Sequence, residues 1–409
     1  EKVDKSYFSK VKLTYINWLR GKNDIYLLWE RSTNHFFSKQ RGDIMKLVKR
    51  DLYLNKLIDK MDNGLIKIIT GIRRCGKSYL LFRIFRNYLI ESGVKESNII
   101  SLALDDDRYR AYRNPDKLSE FLYSKIINPQ EMYYVLLDEV QFAISEKELK
   151  SKEQIRLYGI LNGLLRLENV DIYVTGSNSK FLSSDIMTEF RGRGDEVRVY
   201  PFSFSEFYSS FLNKDKYEAW NEYSSYGGLP MLLTKKSDSE KIGYLKDLLQ
   251  KTYIQDVVER NHLKGNVVID TLVDILASSV GSLTNPSKLA RTFVSNNIKT
   301  TDVTLSTYID FLSDAFLINK AQRYDIKGKS YINSPFKFYF TDIGLRNCRL
   351  NFRQQEQTHI MENIIYNELL IRGYNVDVGI IEHTIRNKQN KKQLIQLEVD
   401  FVCNNGNNR

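Results

Sequence analysis

Cysteine is scarce in this chain of 409 residues: there are three, Cys75, Cys348 and Cys403. They are scattered without metal spacing, which excludes a disulfide scaffold and suits a reducing cytoplasm. The four histidines (His35, His262, His359, His383) never fall at H-x-x-x-H or H-E-x-x-H spacing, so a zinc hydrolase has no ligands here. Six prolines and 21 glycines are too few for a collagenous or Pro/Gly-rich disordered chain. No apolar run approaches the roughly 18 residues needed to span a bilayer, and no signal peptide opens the sequence. The expectation is a soluble cytoplasmic protein with no membrane partner. Its 42% apolar residues suffice for two or three cored domains.

The net charge of +11 invites a nucleic-acid reading, but its distribution weakens it. Residues 1–50 hold 12 Lys/Arg against 5 Asp/Glu, which leaves only +4 for the remaining chain. Residues 1–44 also carry Trp18 and Trp29 and show no continuous periodicity. They are expected to form a peripheral basic extension, either an arm that binds something or a segment with no role of its own.

From residue 65 to about 200, strands alternate with helices, the pattern of a parallel α/β sheet. Strands are expected at 65–70, 98–104, 132–140, 170–177 and, ahead of an aromatic-rich stretch, within 197–207. Leu80, Leu81, Ile84, Phe85, Tyr88 and Leu89 fall on one helical face after the first strand, and a second helix is expected near 152–167. Three helices follow, within 267–281, 286–297 and 304–316. Two strand-like runs (317–326 and 330–340) flank the turn Lys327-Gly328-Lys329, in the order of a winged helix-turn-helix. Residues 346–409 return to α/β, with a helix at 358–373 and strands at 376–383 and 393–402.

Between the first strand and its helix lies Gly71-Ile72-Arg73-Arg74-Cys75-Gly76-Lys77-Ser78, a complete G-x-x-x-x-G-K-[ST]. Such a loop wraps backbone N–H groups around phosphate oxygens, and the helix N-terminus behind it adds partial positive charge. Lys77 would reach the β- and γ-phosphates of ATP, and the Ser78 hydroxyl would ligate Mg²⁺. Cys75 occupies a variable position of the loop and reads as a spacer rather than a redox switch. The apolar strand ending in Asp138 and Glu139 supplies the matching acids: Asp138 to hold the metal through water, Glu139 to orient and polarise the attacking water. In sheets of this type a strand between those of the loop and the acid carries a polar residue at its tip facing the γ-phosphate; Asn178 is the candidate. Arg191 and Arg193, flanked by glycines, are each either an arginine finger or a solvated loop arginine.

In this order, GIRRCGKS, LLDEVQ, TGSNS, the RGR segment, YPFSFSEF, Tyr226-Gly-Gly-Leu-Pro230 and LEVDFV resemble the prokaryotic AAA-type "ATP-binding protein" family. In that family a P-loop domain precedes a winged-helix-like part and a nuclease-like C-terminal domain. The resemblance spans about 45–409, with the PFSF and GGLP segments its more specific marks. It implies an added-strand ATPase sheet in which Asp138 and Glu139 serve metal and water, Asn178 acts as phosphate sensor and Arg193 is the candidate finger. The domains expected are 1–44 (extension), 45–235 (ATPase), 236–345 (helical, winged-helix-like) and 346–409 (partial nuclease-like).

The third helix of the winged-helix-like part carries Asp310 and Asp314 and no Arg, Lys, Asn or Gln, so it is a poor reader of base edges. Any DNA contact is expected to be with phosphates and indifferent to sequence. Glu362 and Asp400 resemble nuclease acids, but no Glu/Gln-x-Lys follows within the nine residues after Asp400, which favours a degenerate fold. The expected function is Mg²⁺-dependent ATP hydrolysis coupled to a partner, with a protein partner and oligomerisation open. The alternatives are a slow nucleotide-gated switch and a DNA-processing ATPase.

Overall fold

The computed structural model describes residues 48–145, 148, 155–176, 193–263, 267–325, 335–353, 356–386 and 392–404, with 381–386 and 392–396 as backbone alone. Residues 1–44, Asn178 and its neighbours, Arg191 and the 327–329 turn lie outside the described residues. The larger unit comprises Val48–Tyr208 and Asp215–Arg409, and Ser209–Lys214 does not belong to it.

In the larger unit, β1 (Ile66–Thr70), β2 (Ile99–Ala103), β3 (Tyr133–Asp138), β4 (Val170–Thr175) and β5 (Gly194–Arg198) form a parallel sheet in the order β2-β3-β4-β1-β5. β4 is thus the added strand between loop strand and acid strand. β1, β3 and β4 are buried along their whole length, as a sheet covered on both faces requires, so they are mostly apolar; the buried Lys67 of β1 pairs with Asp171 of β4. Alternate side chains divide between two cores. Ile66, Ile68, Val135, Leu137 and Val174 pack with Leu118, Leu122, Leu157 and Leu161 from the Pro115–Lys125 and Arg156–Leu164 helices. On the other face, Ile69, Leu136 and Tyr173 join Leu81, Phe85 and Leu89. These last three belong to a helix built of Lys77–Tyr79, a π-spaced Leu80–Phe85 and Arg86–Glu91. The same core runs on through Leu249, Tyr253, Leu272, Phe293 and Leu312.

The short strand expected within 197–207 is β5, which begins earlier, and the aromatic-rich stretch behind it carries a helix. β5 stops at Arg198, and a short helix, Phe204–Ser209, follows. Ser203 and Glu206 start it as a capping box: Ser203 Oγ accepts from the Glu206 amide (3.2 Å), and the Glu206 carboxylate accepts from the Ser203 amide (3.0 Å).

The three helices expected next are present as Val267–Ser278, Pro286–Ser295 and Asp302–Asp314. After them β6 (Ile318–Ala321) pairs antiparallel with β8 (Lys337–Phe340). The run 317–326 does not stay in one sheet, however. It divides at Gln322, and β7 (Arg323–Asp325) pairs in parallel with β9 (Asn375–Arg386), which pairs antiparallel with β10 (Lys392–Asn404). Between β8 and β9 in the chain comes the Ile343–Arg349 helix, whose first six residues are all buried. Its polar side chains fasten neighbouring segments: Arg346 Nε donates to the Ala277 carbonyl (2.9 Å), and Asn347 Nδ2 to the carbonyls of Ser224 (2.8 Å) and Ser225 (3.0 Å).

Candidate functional site

At the C-terminal end of β1 the chain turns through Gly71 (φ +134°) and Gly76 (φ +101°). A Cβ on Gly71 would lie 2.0 Å from the Val199 carbonyl oxygen, so only glycine lets the loop pass that close. Cys75 is fully buried, its thiol 3.4 Å from the same carbonyl, a spacer's position. Lys77, 4% exposed, lays its ammonium across the loop, with Nζ donating to the carbonyls of Gly71 (2.9 Å) and Ile72 (3.2 Å). Ser78 is the second residue of the following helix, and its hydroxyl bonds the Asp138 carboxylate.

Asp138 ends β3 and is 3% exposed. Burial raises its pKa above the usual carboxylate value, against the lowering effect of hydrogen bonds from Thr175 and Ser78. Thr175, at the tip of β4, donates its hydroxyl to Asp138 Oδ1 and accepts from the Glu139 amide (3.1 Å). It thereby spaces the two acids. Glu139 takes a left-handed conformation (φ +52°), and Gln141 Nε2 donates to its Oε2. The structure therefore brings together Lys77, Ser78, Asp138 and Glu139. Thr175 escapes a sequence reading that looks past the strand's last apolar residues to Asn178, although a hydroxyl at the tip of a buried strand was the available signal.

Arg193 is not brought to this site. It is exposed and precedes β5, where its carbonyl accepts from the Ile66 amide (2.9 Å). In a parallel sheet that is the edge away from the loop, about 16 Å off for a five-residue strand. Arg193 therefore cannot serve as a finger within its own chain. The arginines near the loop are others. Arg73 Nη1 pairs with Asp256 (2.8 Å), which also pairs with Arg260 (3.2 Å), and the Tyr253 hydroxyl donates to the Arg73 carbonyl (2.7 Å). Burial raises the pKa of Asp256 and lowers that of Arg260, and the Glu139 charge is felt by both. No sequence motif marks these residues, because folding alone carries 253–260 back to the loop.

Glu362, on the Gln357–Ile371 helix, and Asp400, on β10, do meet, with Glu398 as a third acid. They meet around an ammonium: Lys337 Nζ of β8 lies 2.7 Å from Glu362 and 3.3 Å from Asp400, its side chain 2% exposed. Among the described residues no group of three or more acids, histidines or cysteines is placed to hold a metal ion. No helix among them is long and apolar enough to cross a membrane.

An AAA-domain family model matches residues 63–208, and a domain of unknown function matches residues 217–356. An uncharacterized protein of Haemophilus influenzae is 34% identical over 362 residues, which is 87% of this chain and 84% of that protein. The chain belongs to the AAA-type P-loop ATPase family. An uncharacterized protein of Methanocaldococcus jannaschii is 28% identical over 350 residues, 81% of this chain and 73% of that one. Among solved structures, AMPPCP-bound DnaA from Aquifex aeolicus is similar at 16% identity and a TM-score of 0.32, over 66% of this chain and 89% of that one. The Aeropyrum pernix ORC1 protein in complex with DNA is similar at 10% identity and a TM-score of 0.31, over 80% and 94%. Likeness at that level says nothing of what this chain binds.

In this chain the PFSF and GGLP segments lock together beside the loop. The Phe202 amide donates to the Gly228 carbonyl (2.8 Å), and the Gly228 amide donates to Asp342 Oδ2 (2.8 Å). A Cβ on Gly228 would meet the Phe202 carbonyl oxygen at 2.2 Å, so the pair of glycines is a packing requirement. Pro230 then stands 3.8 Å from where a Gly76 Cβ would be. Asp342 Oδ1 also accepts from the amides of Gly344 (2.9 Å) and Leu345 (3.3 Å). Burial nevertheless pushes its pKa up to about 6. Between about 4 and about 6 the unfolded carboxyl has lost its proton while the folded one keeps it, so this group's stability contribution falls as pH rises through that window. Asp342→Asn, which cannot titrate, should therefore gain about 3 kcal/mol relative to wild type between pH 4 and pH 6.5. Denaturant unfolding of both proteins across that range measures it; parallel curves would show that Asp342 does not titrate in this window.

Proposed function

We propose that the protein hydrolyses ATP with Mg²⁺ at this loop and passes its nucleotide state to the helices and sheets that follow. The observation that carries the reading is the bonded row Ser78–Asp138–Thr175–Glu139 laid against the Gly71–Ser78 loop. Lys77 and the loop amides would bind the β- and γ-phosphates. Ser78 and Asp138 are hard oxygen donors close to each other, the ligand type that suits Mg²⁺, and they would hold the ion. When bound, the ion neutralises charge on the phosphates. Glu139 would take the proton of the attacking water. Asn178 remains the proposed γ-phosphate sensor, and among the described residues Arg73 and Arg260 are arginines placed to answer charge at the loop. The test is multiple-turnover phosphate release with ATP and Mg²⁺; no release above background would sink the reading.

One observation favours a slow, switch-like ATPase. Gln141 engages the carboxylate that must accept the proton, so one of its oxygens is occupied until that bond opens. Gln141→Ala should then raise turnover by about tenfold, since about one charged hydrogen bond is released. An unchanged or lower rate would remove Gln141 as a restraint.

Duplex DNA in the same assay tests the DNA-processing alternative. Asp310 is exposed on the Asp302–Asp314 helix, so any contact is proposed to be with phosphates, weak in salt and blind to sequence. The Lys337 ammonium amid Glu362, Glu398 and Asp400 supports a C-terminal part that binds rather than cuts. Cytoplasmic location and a protein partner belong to the same proposal.

A further inference from the structure

Arg50 lies outside every motif of the sequence, yet it touches the phosphate loop from behind. It is 5% exposed and precedes the Asp51–Ile58 helix in a left-handed conformation (φ +54°). Its Nη1 donates to the Cys75 carbonyl (3.2 Å) and its Nη2 to the Tyr200 carbonyl (2.7 Å). Its Nε lies 3.1 Å from Glu206 Oε1. The guanidinium is stacked on the rings of Tyr53 (4.4 Å) and Phe202 (5.0 Å). A buried ion pair is rarely worth more to stability than apolar residues of the same volume, so packing alone does not account for an arginine here. The planar fork accounts for it: two carbonyls from two segments and one carboxylate are met at fixed angles, which a lysine cannot do.

We propose that Arg50 is a positioning residue of the phosphate loop, which fixes the Cys75–Gly76 peptide so that the Gly76 amide faces the phosphates. The reasoning is geometric. The described peptides are all trans, and in a trans peptide the C=O and the following N–H point in opposite directions. Holding the Cys75 oxygen toward Arg50, on the buried side, turns the Gly76 N–H toward the open side, where Lys77 begins its helix. Gly76 has φ +101° and little intrinsic preference between peptide orientations, so an external tie is what selects one. Glu206, from the YPFSFSEF segment, holds the guanidinium in place through its contact with Nε. This explains physically why that segment accompanies the loop.

The inference rests on the ATP-binding reading, and the experiment separates the two. Full-length wild type, Arg50→Lys, Arg50→Met and Arg50→Met/Glu206→Gln are titrated with ATP by calorimetry. The double variant is included because Arg50→Met leaves a carboxylate without its partner. Each protein is ¹⁵N-glycine labelled, with the Gly76 resonance assigned in wild type. Wild type should bind ATP with a large downfield shift of the Gly76 amide. Both methionine variants should lose about tenfold or more in affinity, the size of one charge-assisted contact, and the Gly76 shift should collapse while the other glycine amides of the fold keep their positions. Arg50→Lys should recover part of both. Wild-type affinity and an unaltered Gly76 shift in the folded double variant would overturn the proposal and leave the ATP-binding reading standing. Absence of ATP binding by wild type would overturn both.

Discussion

Replacing Lys77 by alanine should lower ATP affinity by at least about 10²-fold. The ammonium is 4% exposed and held over the loop by the carbonyls of Gly71 and Ile72, so it is already desolvated before any phosphate arrives. Two charge-assisted contacts at roughly 1.5–3 kcal/mol each give that magnitude. The fold should survive, because the loss is confined to the two loop carbonyls of Gly71 and Ile72 that lose their donor. Calorimetric titration measures the affinity, and the melting temperature of the same samples shows that the protein is intact. An unchanged affinity in a folded Lys77→Ala protein would remove Gly71–Ser78 as the nucleotide loop, and with it the functions assigned to Ser78, Asp138 and Glu139.

The parts of this site legible in the sequence are those whose chemistry is local. A loop that must turn tightly on glycine, a lysine beside it and an acid at the end of an apolar strand each leave a mark within a few residues. The parallel order was likewise readable from buried strands alternating with amphipathic helices. Residues that act by tertiary approach leave no such mark. Arg50 lies 25 residues before the carbonyl it holds, and Asp256 and Arg260 reach the loop only because the 238–260 helices fold over it. Asp342 reads as an ordinary N-cap and becomes the anchor of Gly228 only through a contact 114 residues distant. Arg193 shows the converse error. Glycine-flanked arginine is a local pattern, but which edge of a parallel sheet it occupies depends on the strand that follows. Here that strand runs from Gly194, placing the arginine at the wrong edge. The division of residues 317–326 between two sheets has the same cause, since period-two alternation does not say which neighbour a strand will find.

Glu139→Gln should keep ATP affinity within about twofold of wild type yet slow phosphate release by about 10²-fold or more, the size of general-base effects. Glutamine fills the same space, and the left-handed backbone at position 139 is fixed by its amide bond to Thr175 rather than by its side chain, so Asp138, Ser78 and the loop are left undisturbed. What changes is that an amide can orient a water but cannot accept its proton. Binding and turnover are thus predicted to part company, which they would not do if the substitution merely loosened the end of β3. The Gln141 contact sharpens the test. If Glu139 is the base that Gln141 restrains, Gln141→Ala raises the rate in the wild-type background and has no effect in the Glu139→Gln background, because the group it would release is no longer a base. Single-turnover phosphate release on the four proteins reads both effects at once. Wild-type turnover in Glu139→Gln, or an equal gain from Gln141→Ala in both backgrounds, would take the proton-accepting role away from Glu139 and move it to a group outside this row.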